Sequence, residues 1–281
     1  MKQPPSKKQY EMFLKTLSDG ISRNYPEVCV FSFGSLSSGS FELFKEGISD
    51  SDGGIILSSG VQTYNIRDLT LGISKIFAQA VHGSRLSVLN DRPDFNLLDI
   101  ETARDGRFNS YRKTYNGYFK KSAEILCGPN YLDMLAELED RKEAMVDAAF
   151  VFRNLRNRIL FCYDTLLTCP EGFSEYVIRA LNKSSKFPKK ILEVIKGDLI
   201  EENRKNSQGF LEGILEADFK TLRNINDLLR LPSRELYSLF EDEEVALTWL
   251  GYSLDAVEEI ISSYMNRFPR PLEQEIKNPP D

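Results

Sequence analysis

Val28-Cys29-Val30-Phe31-Ser32-Phe33-Gly34-Ser35 and, further along, Ser49-Asp50-Ser51-Asp52-Gly53-Gly54-Ile55-Ile56-Leu57 are the two stretches whose reading decides the fold. The first is β-branched and aromatic and stops at Gly34-Ser35, so it predicts a strand followed by a tight turn. A short polar segment then runs to Lys45-Glu46-Gly47, which predicts a short helix with a glycine stop. In the second stretch two carboxylates, two residues apart, stand at the mouth of another strand. Alternate strand residues point the same way, so Asp50 and Asp52 face one side.

Upstream, Phe13, Leu14, Leu17 and Ile21 recur at helical spacing between Ser6 and Tyr25, and Pro26 closes that helix. Downstream, Ile66, Leu69, Leu71, Ile73, Ile76, Phe77 and Ala80 give Asn65 to Val81 an amphipathic helical pattern. Two further strands are predicted, Arg85 to Asn90 and Phe95 to Glu101, separated by the turn signal Asp91-Arg92-Pro93-Asp94. Beyond Gly128-Pro129 the pattern becomes long helical periodicities broken at Pro170, Pro188, Gly209 and Pro232, and the Pro-rich tail from Pro269 to Asp281 is expected to fray. The fold expected is α+β, with a mixed sheet and flanking helices over residues 1–127 and an all-helical domain over 128–281.

Composition excludes several classes. With 281 residues, 41% of them hydrophobic and 11% aromatic, the chain can bury a full core and has room for two domains. Lys and Arg total 36 against 42 acidic residues, a net charge of −6, so no global positive field points to nucleic acid and any polyanion must meet a local patch. Cys29, Cys127, Cys162 and Cys169 form no CxxC pair, and Cys29 in its apolar run reads as a buried thiol; reduced cysteines and a cytoplasmic location are expected. No stretch approaches the roughly 18 apolar residues that a membrane span needs. The single histidine, His82, rules out Ser-His-Asp triads, His-rich zinc sites and HExxH helices, and reads as a turn residue beside Gly83.

The two opening stretches together carry chemistry. Nucleotidyl transfer needs an attacking hydroxyl, an α-phosphate and a pyrophosphate leaving group aligned while negative charge is neutralised on all of them. Magnesium is held by one or two carboxylates plus phosphates and waters, and two alternate strand carboxylates can aim at one point. A glycine lets backbone donors approach phosphates closely, and a following serine and helix start extend that cradle.

Phe33-Gly34-Ser35, a short segment, and then Ser49-Asp50-Ser51-Asp52 ahead of an apolar strand resembles the signature of the DNA polymerase β-like nucleotidyltransferase superfamily. Its members include aminoglycoside and lincosamide adenylyltransferases, minimal nucleotidyltransferases, CCA-adding enzymes and cyclic-dinucleotide synthases. The resemblance covers roughly the first hundred residues. It implies that Asp50 and Asp52 bind magnesium or manganese, that Gly34, Ser35 and Ser49 hold the phosphates of a nucleoside triphosphate donor, and that a third carboxylate lies on a neighbouring strand.

Phe95-Asn96-Leu97-Leu98-Asp99-Ile100-Glu101 is where that third ligand should fall. Compared with polymerase-like members it is Asp99; compared with minimal nucleotidyltransferases the matching position is Asn96. The two lie on opposite strand faces, so only one can hold the place. Asp99 is favoured as the third catalytic and metal-binding residue, because an intact upstream motif argues for retained metal binding. Asn96 in that position would weaken or abolish transfer. The function expected is a metal-dependent transfer of a nucleoside monophosphate to a hydroxyl-bearing acceptor, a small molecule favoured over tRNA or protein. The alternative is a catalytically silent nucleotide-binding or partner-binding module of the same fold.

Two basic clusters complete the reading. Arg104, Arg107, Arg112, Lys113, Lys120 and Lys121 interleave with Phe108, Tyr111, Tyr115, Tyr118 and Phe119, which reads as a helix with aromatics inward before it reads as a phosphate-contact surface. Arg153, Arg156 and Arg158, with Asn154 and Asn157, read as ordinary surface ion-pair partners. The helical nuclease domains often encoded beside minimal nucleotidyltransferases need an Arg-and-His motif that this half cannot complete, since His82 lies in the other.

Overall fold

Strand β1, Cys29–Phe33, is buried along its whole length, and so is all of β2, Asp52–Leu57, except its first residue. Burial on both faces explains why neither run alternates apolar with polar. The computed structural model describes residues 6–34, 52–60, 65–86, 93–108, 123–135, 143–202 and 219–268. Within them β3, Asp94–Asp99, and β4, Glu124–Cys127, complete a four-stranded sheet of order β3-β2-β1-β4. The sheet is mixed: β1 is antiparallel to β2 and to β4, while β2 is parallel to β3. The protein is α+β.

A parallel pair needs a crossover. Helix α2, Ile66–Gly83, supplies it and packs with α1, Lys7–Asn24, on one sheet face. Helix α1 starts at Ser6, whose backbone N–H donates to Gln9 Oε1 at 2.9 Å. Beneath these helices Val28, Val30, Ile55, Leu57, Phe95 and Leu97 meet Phe13, Leu17, Ile73 and Phe77. The rings of Phe13, Phe77 and Phe95 interlock edge to face at centroid distances of 5.3, 5.5 and 5.8 Å. The opposite face gathers Cys29, Phe31, Phe33, Ile56 and Leu98 against Ala103, Leu132 and Leu135.

Gly53 and Gly54 let two rings cross the sheet. A Cβ on Gly53 would lie 2.3 Å from Phe95 Cζ, and one on Gly54 2.4 Å from the Phe31 ring. Phe95 and Phe31 are their register partners. Each missing side chain is replaced by a neighbour's ring.

Helix α3, Ile100–Asp105, follows β3 directly and packs Ala103 under the sheet; among the described residues the helical half comprises α4, Glu143–Leu160; α5, Cys162–Thr168; α6, Phe173–Ser184; α7, Phe187–Glu202; α8, Phe219–Leu228; α9, Ser233–Leu239; and α10, Glu243–Arg267. Its core is built from Ala148, Phe152, Leu155, Val177, Leu181, Ile191, Leu250, Leu254, Val257 and Ile261, among others. Helix α10 begins at Asp242, whose side chain accepts from Val245 N at 3.1 Å.

The two halves are joined by apolar packing, with Leu160 and Phe161 set against the core beneath α1 and α2, and by polar ties. Asn157 of α4 accepts from Leu97 N at 3.2 Å and donates to Asn96 Oδ1 at 2.9 Å, along the outer side of β3. Arg67 of α2 reaches Asp255 of α10 at 3.1 Å, passing over Gly251, where a Cβ would lie 2.4 Å from Arg67 Nε.

Several elements differ from expectation. The strand expected at Arg85 to Asn90 begins instead as a turn after α2, with Arg85 at φ 58°, and residues 87–90 lie outside the described residues. The strand expected to reach Glu101 ends at Asp99, because Asp99 caps α3. His82 lies in the last helical turn of α2, exposed, and not in a turn. The sheet layer continues past Cys127, since Leu132 and Leu135 pack under it. The short helix expected before Gly47, and the tail, lie outside the described residues. No helix among the described residues is long and apolar enough to cross a membrane.

Candidate functional site

The end of β1 and the starts of β2 and β3 meet at one corner of the sheet. Phe33 is the register partner of Asp52, and Asp52 in turn that of Asp94. Directly after Phe33 the chain turns at Gly34, with φ 83°, a left-handed conformation that glycine adopts without strain. A Cβ on Gly34 would stand 3.1 Å from Asp52 Oδ2. The Gly34 turn and the Asp52 carboxylate are therefore adjacent, and a side chain at position 34 would crowd that carboxylate. Ser35, Ser49 and Asp50, the other residues assigned to phosphate and metal, lie outside the described residues.

Asp99 does not join this corner. The register that sets Asp52 beside Asp94 sets Asp99 beside Leu57, at the other end of the pair. Five residues at about 3.3 Å each put Asp99 about 16 Å along the strand from Asp94, and on the opposite face from Asp52. Its carboxylate is also committed. Oδ1 accepts from Glu101 N at 3.0 Å and Thr102 N at 2.9 Å, capping α3, while Oδ2 accepts from the Thr102 hydroxyl and from Arg156 at 2.6 Å. Asp99 is thus a helix cap and ion-pair partner, and the structure does not bring it together with Asp52. Asn96, the competing position, pairs with Gly54 on the same face as Asp52, about 7 Å from Asp94 along the strand. Its Oδ1 is held by Asn157.

Arg156 is the residue that the sequence reading misplaced. It is 2% exposed, not on the surface, and stands between Asp99 and Glu258. Its Nε and second terminal nitrogen donate to the two Glu258 oxygens at 2.8 and 2.9 Å, a bidentate pair. Burial alone would lower the pKa of Arg156; Glu258 and Asp99 overcome it and raise it. For Glu258, burial pushes the carboxyl up to about 7 against the pull of Arg156, with repulsion from Asp99 and Asp255 adding to the rise. One guanidinium shared by two buried carboxylates leaves a negative charge over, and a proton on Glu258 removes it. A signal was present: Arg156 falls four residues after Phe152, and Glu258 between Leu254 and Ile261, each inside an apolar stripe where a charge implies a buried partner.

Elsewhere, Arg107 pairs with Asp105 and lies 5.0 Å from the Tyr264 ring centre, while Phe108 is buried against Phe152 and Tyr264. These agree with aromatics inward; residues 109–122 lie outside the described residues. Cys29 and Cys162 are buried, which pushes both thiols up to about 11, and none of the four cysteines is in a disulfide. Among the described residues no group of three or more His, Cys, Asp or Glu side chains gathers in a metal-binding arrangement.

Set against models of known protein families, curated protein sequences and solved structures, the chain finds no match in any of the three comparisons.

Proposed function

We propose that this chain is a metal-dependent nucleotidyltransferase, moving a nucleoside monophosphate from a nucleoside triphosphate to a hydroxyl-bearing acceptor, a small molecule before tRNA or protein. The observation that carries the reading is the Gly34 turn, at φ 83°, set directly against Asp52 at the joint edge of β1 and β2. A glycine backbone open to a phosphate, beside a carboxylate that can hold the phosphate's counter-ion, is the pairing this chemistry requires.

In this reading Asp50 and Asp52 hold magnesium or manganese, and Gly34, Ser35 and Ser49 hold the phosphates. The metal would neutralise charge on the triphosphate and polarise its α-phosphorus. The register sets the backbone of Asp94 beside that of Asp52, and Asp99 at the far end of the pair. The acceptor oxygen bonds to the α-phosphorus as the bond to the bridging oxygen breaks; pyrophosphate leaves, and a carboxylate takes the hydroxyl proton.

A second reading is a silent nucleotide-binding module. Two observations favour it: Asn96 shares the face of Asp52, and Asp99 is committed to Arg156. The test is pyrophosphate release with each nucleoside triphosphate over pooled acceptors, alongside calorimetry of metal-dependent binding in the wild type and in Asp52→Asn. Release that the substitution abolishes supports transfer, and metal-dependent binding without release supports the module. Equal metal-dependent affinity in Asp52→Asn sinks both.

A further inference from the structure

The face shared by α4 and α6 carries positive charge that no acid among the described residues pairs with. Arg153 and Lys183 lie 5.6 and 5.9 Å from the ring centre of Phe150, a residue that is 48% exposed. One turn further, Arg158 lies 4.6 Å from the centre of the Tyr176 ring. Lys183 Nζ donates to Asn154 Oδ1 at 2.9 Å, which fixes the ammonium between the two helices. At the margins Arg179 pairs with Glu175 and Lys190 with Asp147. Between those pairs, Arg153, Arg158, Lys183 and the exposed Lys186 have no carboxylate at salt-bridge distance among the described residues. Burial, with Arg158 and Lys186 close by, lowers the pKa of Lys183, as expected where cations crowd without acids.

We infer that this α4–α6 face is a binding surface for single-stranded nucleic acid, with Phe150 as the stacking platform and Arg153, Arg158, Lys183 and Lys186 as phosphate contacts. The charge is complementary to a phosphate chain on a protein whose net charge is −6, so the attraction is local and not a property of the whole molecule. The half-exposed ring selects among polyanions. A nucleobase offers a flat π-face to Phe150 and a phosphate to the flanking cations, whereas an acidic peptide offers only carboxylates. A duplex hides its base faces in the stack, which restricts the ligand to a single strand. The inference is independent of the Gly34–Asp52 reading, because none of these residues belongs to that corner.

The test is fluorescence anisotropy of the full chain with labelled oligo-uridine and oligo-deoxythymidine over a salt series. Saturable, salt-sensitive binding is expected, with Phe150→Ser weakening it at least about fivefold, the low end for loss of one stacked base. The pair Arg153→Gln and Lys183→Gln should flatten the plot of log affinity against log salt by about 0.7 per cation removed. Circular dichroism checks the fold of each variant; should either unfold, Lys186→Gln, exposed and remote from the core, is read for the same flattening. Absence of binding at low salt overturns the proposal. So do unchanged affinity and slope in folded variants, and equal competition by a duplex or by polyglutamate.

Discussion

Asp99 serves neighbours in both halves of the chain at once: it caps α3 and holds the guanidinium of Arg156, which in turn holds Glu258. Arg156→Met should destabilise the protein by about 3–5 kcal/mol, because it leaves two carboxylates buried without their cation. Denaturant unfolding followed by circular dichroism measures this, and a loss under about 1 kcal/mol would show that the carboxylates find other partners. Glu258 gives the cluster a pH dependence with a definite sign. Its carboxyl rises from the usual 4.5 to about 7 on folding, so its favourable contribution is complete below about 4.5 and is lost as pH rises through about 7. At about 1.4 kcal/mol for each pH unit the loss amounts to about 3 kcal/mol. Glu258→Gln should therefore lose less Tm than the wild type between about pH 5 and about pH 8; parallel curves would remove Glu258 from the account. The apolar stripes around Arg156 and Glu258 hint at burial, but nothing local shows that Asp99 joins them. The sequence shows that Asn96 and Asp99 face opposite ways, but not which residue of β3 stands beside Asp52.

At the scale of elements, β1, β2, α1 and α2 were readable because each is written by a continuous local pattern. The short edge strand β4 was not: four residues, all at least partly exposed, carry too little periodicity. The end of β3 was missed for a different reason, since capping of α3 by Asp99 overrides the apolar Ile100 that follows. Gly53 and Gly54 are inside β2, under Phe95 and Phe31. Gly53→Ala should lower stability by about 1–3 kcal/mol through overpacking against the Phe95 ring, seen as a shift in the urea midpoint. At the Gly34 turn, Gly34→Val meets both positive φ and the Asp52 carboxylate. The expected result is a folded protein whose metal-dependent triphosphate affinity is lost, read by calorimetry; unchanged affinity would count against the phosphate cradle.

At the scale of the whole molecule, the contacts between distant parts of the chain are the ones no local pattern announces: Arg156 lies 57 residues from Asp99 and 102 from Glu258. Net charge also averages away the α4–α6 face, which becomes visible only when two helices are side by side. The tie made by Asn157 has a further consequence. Among the described strands β3 is the outermost on its side of the sheet, and an outermost strand offers a row of backbone donors and acceptors on which a foreign strand can template itself. Asn157 occupies one of those donors, Leu97 N, and α4 runs along the rest of that edge, so the helical half acts as a stopper against edge-to-edge aggregation. A fragment ending at Leu135 would keep all four strands but lose the stopper, and gel filtration should find it self-associated where the full chain is not. Should that fragment run as a stable monomer, β3 is protected by something other than its helical neighbour.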